Sequence, residues 1–243
     1  MIYALISDVH GNLEALTTVM DDIRRLGRID GILFLGDAVG YGANPNEVLQ
    51  IIDSACEVKL MGNHDYSALG LLDTSDFNVY ARSGINFSVS VLTPESQGIL
   101  SSFKLSERIG EVMLVHATPD APESWSYCLS TAEAKRQFAA FEEPVCFIAH
   151  SHQPLVFKQD SLGSCDMLND QELNLGDDCR YIVNIGSVGQ PRDGDPRACY
   201  VIYDTVSQRL RYRRLSYNIE AAQNKMRAVD LPAFLVERLA VGR

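Results

Sequence analysis

The chain has 243 residues, 46% of them hydrophobic and 22% charged, which excludes a disordered or fibrous polymer and leaves ample length for a buried core. With 21 basic against 32 acidic residues the formal charge is −11, which argues against a general nucleic-acid coat or a binder of anionic membranes. If such a chain handles phosphates, surface Lys and Arg are not what attracts them, and a metal site would do so instead.

Residues 2–6 are a short apolar run ending at Ser7-Asp8, as expected of a buried strand. Beyond Gly11 and Asn12 the period changes: Leu13, Leu16, Met20, Ile23 and Leu26 follow helical steps, and Gly27 closes the helix. Residues 31–35 form a second apolar strand stopped by Gly36-Asp37, Pro45 precedes a helical run over 48–52, and 58–60 is a third strand. This alternation predicts parallel βαβ units and an α/β class. Residues 64–102 read as mostly helical, with a helical insertion at about 66–102. Strands over 112–115 and 145–148 flank a helical stretch around 131–141, and the polar segment 159–179 reads as an exposed excursion or hairpin. Strands return over 181–185, 198–203 and 210–215, and C-terminal helices at about 218–240 finish a single domain over 1–243.

None of the six cysteines forms a C-x-x-C pair, and Cys56, Cys146 and Cys199 lie in or beside apolar runs, as buried thiols do. The N-terminus lacks a basic leader, and no apolar run approaches the ~18 residues of a membrane span, so the expected location is the cytoplasm with no membrane partner. A strand edge near 198–215 offers a place where a second copy could pair as a homo-oligomer.

Five strand ends are followed at once by polar, ligand-type residues: Asp8-Val9-His10, Gly36-Asp37, Gly62-Asn63-His64-Asp65, His116, and His150-Ser151-His152. Open α/β sheets build their sites beyond the carboxyl ends of strands, so these groups are expected to converge. Each one alone reads blandly, as a surface histidine or a helix-capping aspartate. However, all five histidines of the chain stand at these ends, which independent accidents would have scattered. Imidazole and carboxylate donors without thiolate suit Mn, Fe, Zn, Ni or Co. Two Asp, one Asn and four His are too many for one tetrahedral ion and about right for two, which together could clamp a phosphoryl group.

The order D-x-H, G-D, G-N-H-D, H, H-x-H resembles the calcineurin-like metallophosphoesterase superfamily, and residues 184–196, NIGSVGQPRDGDP, resemble its small prokaryotic phosphodiesterase-like branch. The resemblance implies a four-layer α/β/β/α sandwich of two mixed β-sheets flanked by helices. It implies two divalent transition-metal ions, one held by Asp8, His10, Asp37 and His152, the other by Asn63, His116 and His150, with Asp37 bridging both. A metal-bridging hydroxide would attack phosphorus, and His64 would act over the phosphate as donor or acid. Asp65 is expected to orient the Asn63–His64 turn or cap the next helix. The implied activity is that of a binuclear phosphodiesterase or phosphatase acting on a small phosphate ester, with nucleic acid entering only as a nucleotide-type substrate. The alternatives are a dinucleoside polyphosphate hydrolase or protein phosphatase of the same superfamily, or a catalytically weak metal-bound scaffold.

Three departures bear on that choice. The stretch after Gly36-Asp37 reads Ala38-Val39-Gly40-Tyr41-Gly42 and lacks the Arg of the protein phosphatases and symmetrical dinucleoside tetraphosphate hydrolases, so a bidentate phosphate clamp is missing there. Ala149 stands where the last motif usually opens with Gly, and Ala117 where Gly is common after the histidine. Tyr41, Asn44 and Arg192 are candidate substrate contacts, with turn formation at Pro45 and Arg–Asp pairing in 192–195 as their rival explanations. Trp125 and Tyr127 either stack on an aryl group or pack at the rim.

Overall fold

A computed structural model describes residues 1–176 and 178–243; residue 177, inside the polar 159–179 segment, lies outside the described residues. Its strands are β1 (Ile2–Ile6), β2 (Gly31–Phe34), β3 (Val58–Lys59), β4 (Ser106–Ile109), β5 (Val112–Val115), β6 (Val145–Ile148), β7 (Pro154–Gln159), β8 (Cys165–Leu168), β9 (Glu172–Asn174), β10 (Arg180–Ile185), β11 (Ala198–Asp204) and β12 (Arg209–Leu215). They form two mixed six-stranded sheets, ordered β3-β2-β1-β11-β12-β9 and β4-β5-β6-β10-β7-β8. The helices are α1 (Leu13–Leu26), α2 (Pro45–Ala55), α3 (Asn63–Ala68), α4 (Val79–Val91), α5 (Pro94–Ser101), α6 (Thr131–Gln137), α7 (Ile219–Ala228) and α8 (Ala233–Arg238).

The layering follows from side-chain alternation. In β1, Ala4 and Ile6 join Leu16, Val19, Val48 and Ile52 in a core between the first sheet and α1 and α2. Tyr3 and Leu5 point the other way, into a core shared with Leu114, Phe147 and Val183 of the second sheet. Burial on both faces is why residues 2–6 read as an unbroken apolar run. The outer face of the second sheet is closed by Ala134 of α6 and by Phe138, packed on Val115, Cys146 and Ile148. The result is the four-layer α/β/β/α sandwich. Asn12 starts α1 by accepting from Ala15 N at 3.1 Å, and Gly27 ends it in the left-handed conformation at φ +65°.

This topology positions the site. Strands β1, β2 and β3 are parallel to one another in one sheet, as are β5, β6 and β10 in the other. Every ligand-type motif leaves the carboxyl end of one of these strands.

Several expectations need correction. The helical stretch over 64–102 is broken, with turns and loop over 69–78 between α3 and α4. Strand β4 escaped the reading because its Ser106-Glu107-Arg108-Ile109 carries no apolar run, and β7 because both its ends are only half-buried. The 159–179 excursion is not one hairpin: β8 pairs with β7, whereas β9 crosses to the other sheet and pairs with β12. The edge expected at 198–215 is covered in part: β11 lies between β1 and β12, and β9 covers β12 at Arg209–Arg211, leaving 213–215 with no paired strand on that side among the described residues. Cys56, Cys146 and Cys199 are buried, and burial pushes the Cys56 and Cys199 thiols up to about 12. Among the described residues no helix is long and apolar enough to cross a membrane.

One polar cluster ties the helix layer to the sheet. Asp22 of α1 accepts from Tyr200 Oη at 2.6 Å and from Arg213 Nε and Nη2 at 2.7 and 3.0 Å. Against its partial burial, Arg213 and Tyr200 hold the Asp22 carboxyl below the ordinary carboxylate value. A depressed pKa contributes stability that is present above the unfolded value of about 3.9 and lost as the pH falls through the folded value. Asp22→Asn is therefore expected to cost about 1.5–3 kcal/mol at pH 7, as hydrogen bonds to charged groups do. The gap to the wild type should narrow below about pH 4. Urea unfolding at pH 7 and pH 3.5 measures it, and an equal gap at both would contradict the charged pairing.

Candidate metal centre

Asp8 and His10 follow β1, Asp37 follows β2, and Asn63 and His64 open α3 just beyond β3. His116 follows β5, and His150 and His152 follow β6. All eight side chains are buried and converge. The donor atoms of Asp8, His10 and His152 lie within 4.8 Å of one another, as do those of Asp37, His116 and His150, and those of His10, Asp37 and His64. Asp37 Oδ2 stands between the groups, 3.6 Å from His10 Nε2 and 3.5 Å from His116 Nε2. His152 Nε2 is 3.3 Å from Asp8 Oδ1.

The backbone bends sharply to achieve this. Of nine non-glycine residues with positive φ among those described, seven belong to this site: Asp8, His10, Asp37, Tyr41, Trp125, His150 and His152. Each such residue costs about 1–3 kcal/mol, and such strain collects where function demands it. Gly36 has a different reason. At φ +102°, a Cβ there would lie 2.7 Å from both Gly62 N and His116 Nδ1, so only glycine lets the two loops close on the imidazole.

Carbonyl groups set the tautomers. His10 Nδ1 donates to Val39 O at 2.9 Å, His116 Nδ1 to Leu35 O at 2.7 Å, and His152 Nδ1 to Gln190 O at 2.6 Å. A carbonyl only accepts, so each Nδ1 carries a proton, and in the neutral ring each Nε2 keeps its lone pair toward the centre. His150 is reversed: its Nε2 donates to Trp125 O at 2.9 Å, which frees Nδ1. Asp65 locks the two central loops together. Its carboxylate accepts from Asp37 N, Ala38 N, Val39 N and Gly62 N at 2.7, 2.9, 3.2 and 3.1 Å.

The electrostatics and hydrogen bonding of these groups suit a cation. Burial lowers His64 to about 4 and His150 to about 3, and takes His10 and His152 well below the ordinary value. Against its own burial, the Asp37 carboxylate raises His116 to about 9. Burial, reinforced by the Asp37 charge, raises Asp8 to about 7. Both Asp8 oxygens, Asn63 Oδ1 and His116 Nε2 are buried without a hydrogen-bond partner among the described residues. Unsatisfied buried polar groups cost about 1–3 kcal/mol each, so four at one point need an explanation. The N/O donor set fits divalent cations of the first transition row.

Beside this cluster opens a cavity of about 410 Å3, lined by Asp37, Asn63, His64 and His150 and by Tyr41, Arg192, Phe77, Trp125 and Tyr127, with Asp73 and Asp76 also in its wall. Tyr41 lies 4.5 Å from the His64 ring and 4.7 Å from that of His10. Arg192 enters from the loop after β10, over the Tyr41 ring at 5.6 Å, held by Gln190 Oε1 at 2.8 Å. The pairing of Arg192 within its own turn does not occur. Asp193 pairs with Arg214 and Asp195 with Arg197, and Arg192 has no carboxylate partner among the described residues. Asn44 stands apart: its amide donates to Glu47 Oε1 at 3.0 Å, and it does not line this cavity. Ala149 is accommodated, its methyl buried in the core between the sheets. The sequence reading did not single out Phe77, Gln190 or Asn184. The Asn184 amide braces the histidine loop by donating to Ala149 O and Ser151 Oγ at 2.6 and 2.9 Å. The NIGSVGQPR stretch was the available signal for the last two.

Comparison with known proteins agrees with this geometry. A family model for the calcineurin-like phosphoesterase superfamily domain matches residues 1–208. An uncharacterized protein of Methanocaldococcus jannaschii is 38% identical, over 99% of this chain and 98% of its own length. The crystal structure of a metallophosphoesterase from Sphaerobacter thermophilus superposes with a TM-score of 0.88 at 39% identity, covering 100% of this chain and 99% of that one. A hypothetical protein from Pyrococcus horikoshii shares the fold alone, with a TM-score of 0.80 at 17% identity over 100% and 98% of the two chains. On its strand-end motifs, its two-sheet sandwich and these matches, the chain belongs to the calcineurin-like phosphoesterase superfamily.

Proposed function

We propose that this protein is a two-metal hydrolase of small phosphate esters, acting on phosphodiesters or phosphorylated metabolites. Asp8, His10, Asp37 and His152 would hold one ion, and Asp37, Asn63, His116 and His150 the other. The observation that carries the reading is the set of buried donors without partners, with Asp37 Oδ2 midway between two imidazoles. Mn, Fe, Zn, Ni and Co all suit these donors. When bound, such ions supply Lewis-acid polarisation of the phosphoryl group and lower the pKa of an attacking water.

The chain's own residues do the rest. Arg192 is a guanidinium in the cavity wall with no carboxylate partner among the described residues, so it is available to bind a phosphoryl oxygen in place of the arginine missing after Asp37. Tyr41 supports the Arg192 guanidinium on its ring face. His64 lines the cavity with its Nδ1 buried against Gly40, so its other ring nitrogen, Nε2, is the one left to pass a proton to the departing oxygen.

The test is hydrolysis of bis(p-nitrophenyl) phosphate alongside p-nitrophenyl phosphate, by chelated protein given Mn, Ni, Co, Zn, Fe or Mg one at a time. Metal-restored cleavage is expected, and two bound metals with neither ester cleaved would turn the reading toward a binding scaffold. His64→Ala should slow turnover by about 10²–10⁴-fold, the range of general acid–base catalysis, with metal content unchanged. Parallel loss of metal would instead make His64 a ligand beside His10 and Asp37.

A further inference from the structure

The cavity wall beyond the metal centre has a composition that the phosphate chemistry does not require. Tyr127 is 49% exposed, yet its ring is stacked on His150 at 4.3 Å with 15° between the planes. Trp125 occupies a left-handed backbone position at φ 52° that brings its carbonyl to His150 Nε2. Its ring lies 6.1 Å from His116 and 5.5 Å from Tyr66, and its indole N–H is buried without an acceptor among the described residues. Phe77, from the loop before α4, lines the same cavity with its ring 6.0 Å from His64. An exposed aromatic held flat is expensive to leave in water, and it offers a stacking face at no further ordering cost. The wall also carries two exposed carboxylates, Asp73 and Asp76, and Arg192 is the single Lys or Arg among the lining residues.

Resting on the phosphoesterase reading, we propose that this outer wall is a subsite for a planar aromatic group on the alcohol of the phosphate ester. Tyr127 and Trp125 provide one face of the subsite and Phe77 another. The cavity volume of about 410 Å3 falls within the about 300–1,000 Å3 of small-ligand sites, so a nucleoside-sized group can be taken. Asp73 and Asp76 repel additional phosphates, so the preferred ligand carries one phosphate and not a polyphosphate chain. Both a nucleobase and a simple aryl ring meet this description.

Trp125 is the only tryptophan of the chain, so its fluorescence reports the subsite directly. In metal-loaded His64→Ala protein, in which turnover of the ligands is slowed, the affinities of AMP, phenyl phosphate and ribose 5-phosphate would be measured by calorimetry, with Trp125 emission followed in parallel. Adenosine would be titrated into the metal-free wild-type chain as a phosphate-independent arm. An aromatic ligand should bind about 5- to 150-fold more tightly than ribose 5-phosphate, the span of base–aromatic stacking, and should quench Trp125. AMP tighter than phenyl phosphate makes the group a nucleobase, and the reverse order makes it a compact aryl ring. Tyr127→Ala should remove the aromatic advantage, and Tyr127→Phe should restore it. Equal affinity for all three phosphates, or an equal loss for ribose 5-phosphate in Tyr127→Ala, overturns the subsite. Ester hydrolysis without aromatic preference removes the subsite alone. Adenosine quenching without any ester hydrolysis keeps the subsite and removes the phosphoesterase reading.

Discussion

Asp37→Ala is expected to abolish metal-dependent ester hydrolysis and to leave fewer than two metals per chain by elemental analysis. Its Oδ2 lies within 3.6 Å of His10 Nε2 and 3.5 Å of His116 Nε2, so one side chain serves both donor groups. Losing a residue that merely orients a ligand costs about 10–100-fold in metal affinity, and losing a shared ligand should exceed that. Asp37→Asn separates two contributions. It retains the Oδ1 acceptor that receives His64 N at 2.9 Å, and so the local turn, but it removes the negative charge that the ions require. Asn with normal folding and lost metal is the expected pattern. Two metals at full occupancy in either variant would contradict the bridging role.

Asp65 should matter most for stability. It does not line the cavity beside the cluster, yet its carboxylate satisfies four backbone N–H groups from the two loops that carry Asp37 and Asn63. Removing it leaves four buried donors, at about 1–3 kcal/mol each, which approaches the about 5–15 kcal/mol of a whole domain. Asp65→Ala is accordingly expected to fail to accumulate as folded protein. Asp65→Asn keeps one acceptor oxygen and should fold with a loss of about 3 kcal/mol, or about 6–12 °C in Tm. A Tm within 2 °C of wild type for Asp65→Asn would show that the loops are held by other contacts.

These two aspartates also divide what was legible from what was not. Asp37 could be recognised from Gly36 and the apolar strand before it, because a polar residue at the abrupt end of a buried strand is a local pattern. The same holds for Asp8, for His116, and for the pair His150 and His152. The helix between Asn12 and Gly27 was likewise readable from its apolar spacing and its two end residues. Asp65 was expected only to orient its own turn or cap a helix. That it also reaches Asp37, Ala38 and Val39, some 27 positions away, depends on how closely the loops after β2 and β3 approach.

The amino-acid order by itself determined the α/β alternation, the strand ends and the identity of the donor side chains, since each depends on residues near one another in the chain. The tertiary structure alone decided which nitrogen each histidine presents, because Leu35, Val39, Trp125 and Gln190 supply the fixing carbonyls from distant loops. It also left Arg192 without a carboxylate partner among the described residues, by giving Asp193 to Arg214 of β12 and Asp195 to Arg197, and it set the Tyr127 ring flat on His150. It sent β9 to the opposite sheet, where it covers Arg209–Arg211 of the edge expected at 198–215. In each case the partner is chosen by how the two sheets and their loops pack face to face, a long-range arrangement in which several local partners compete and burial selects one.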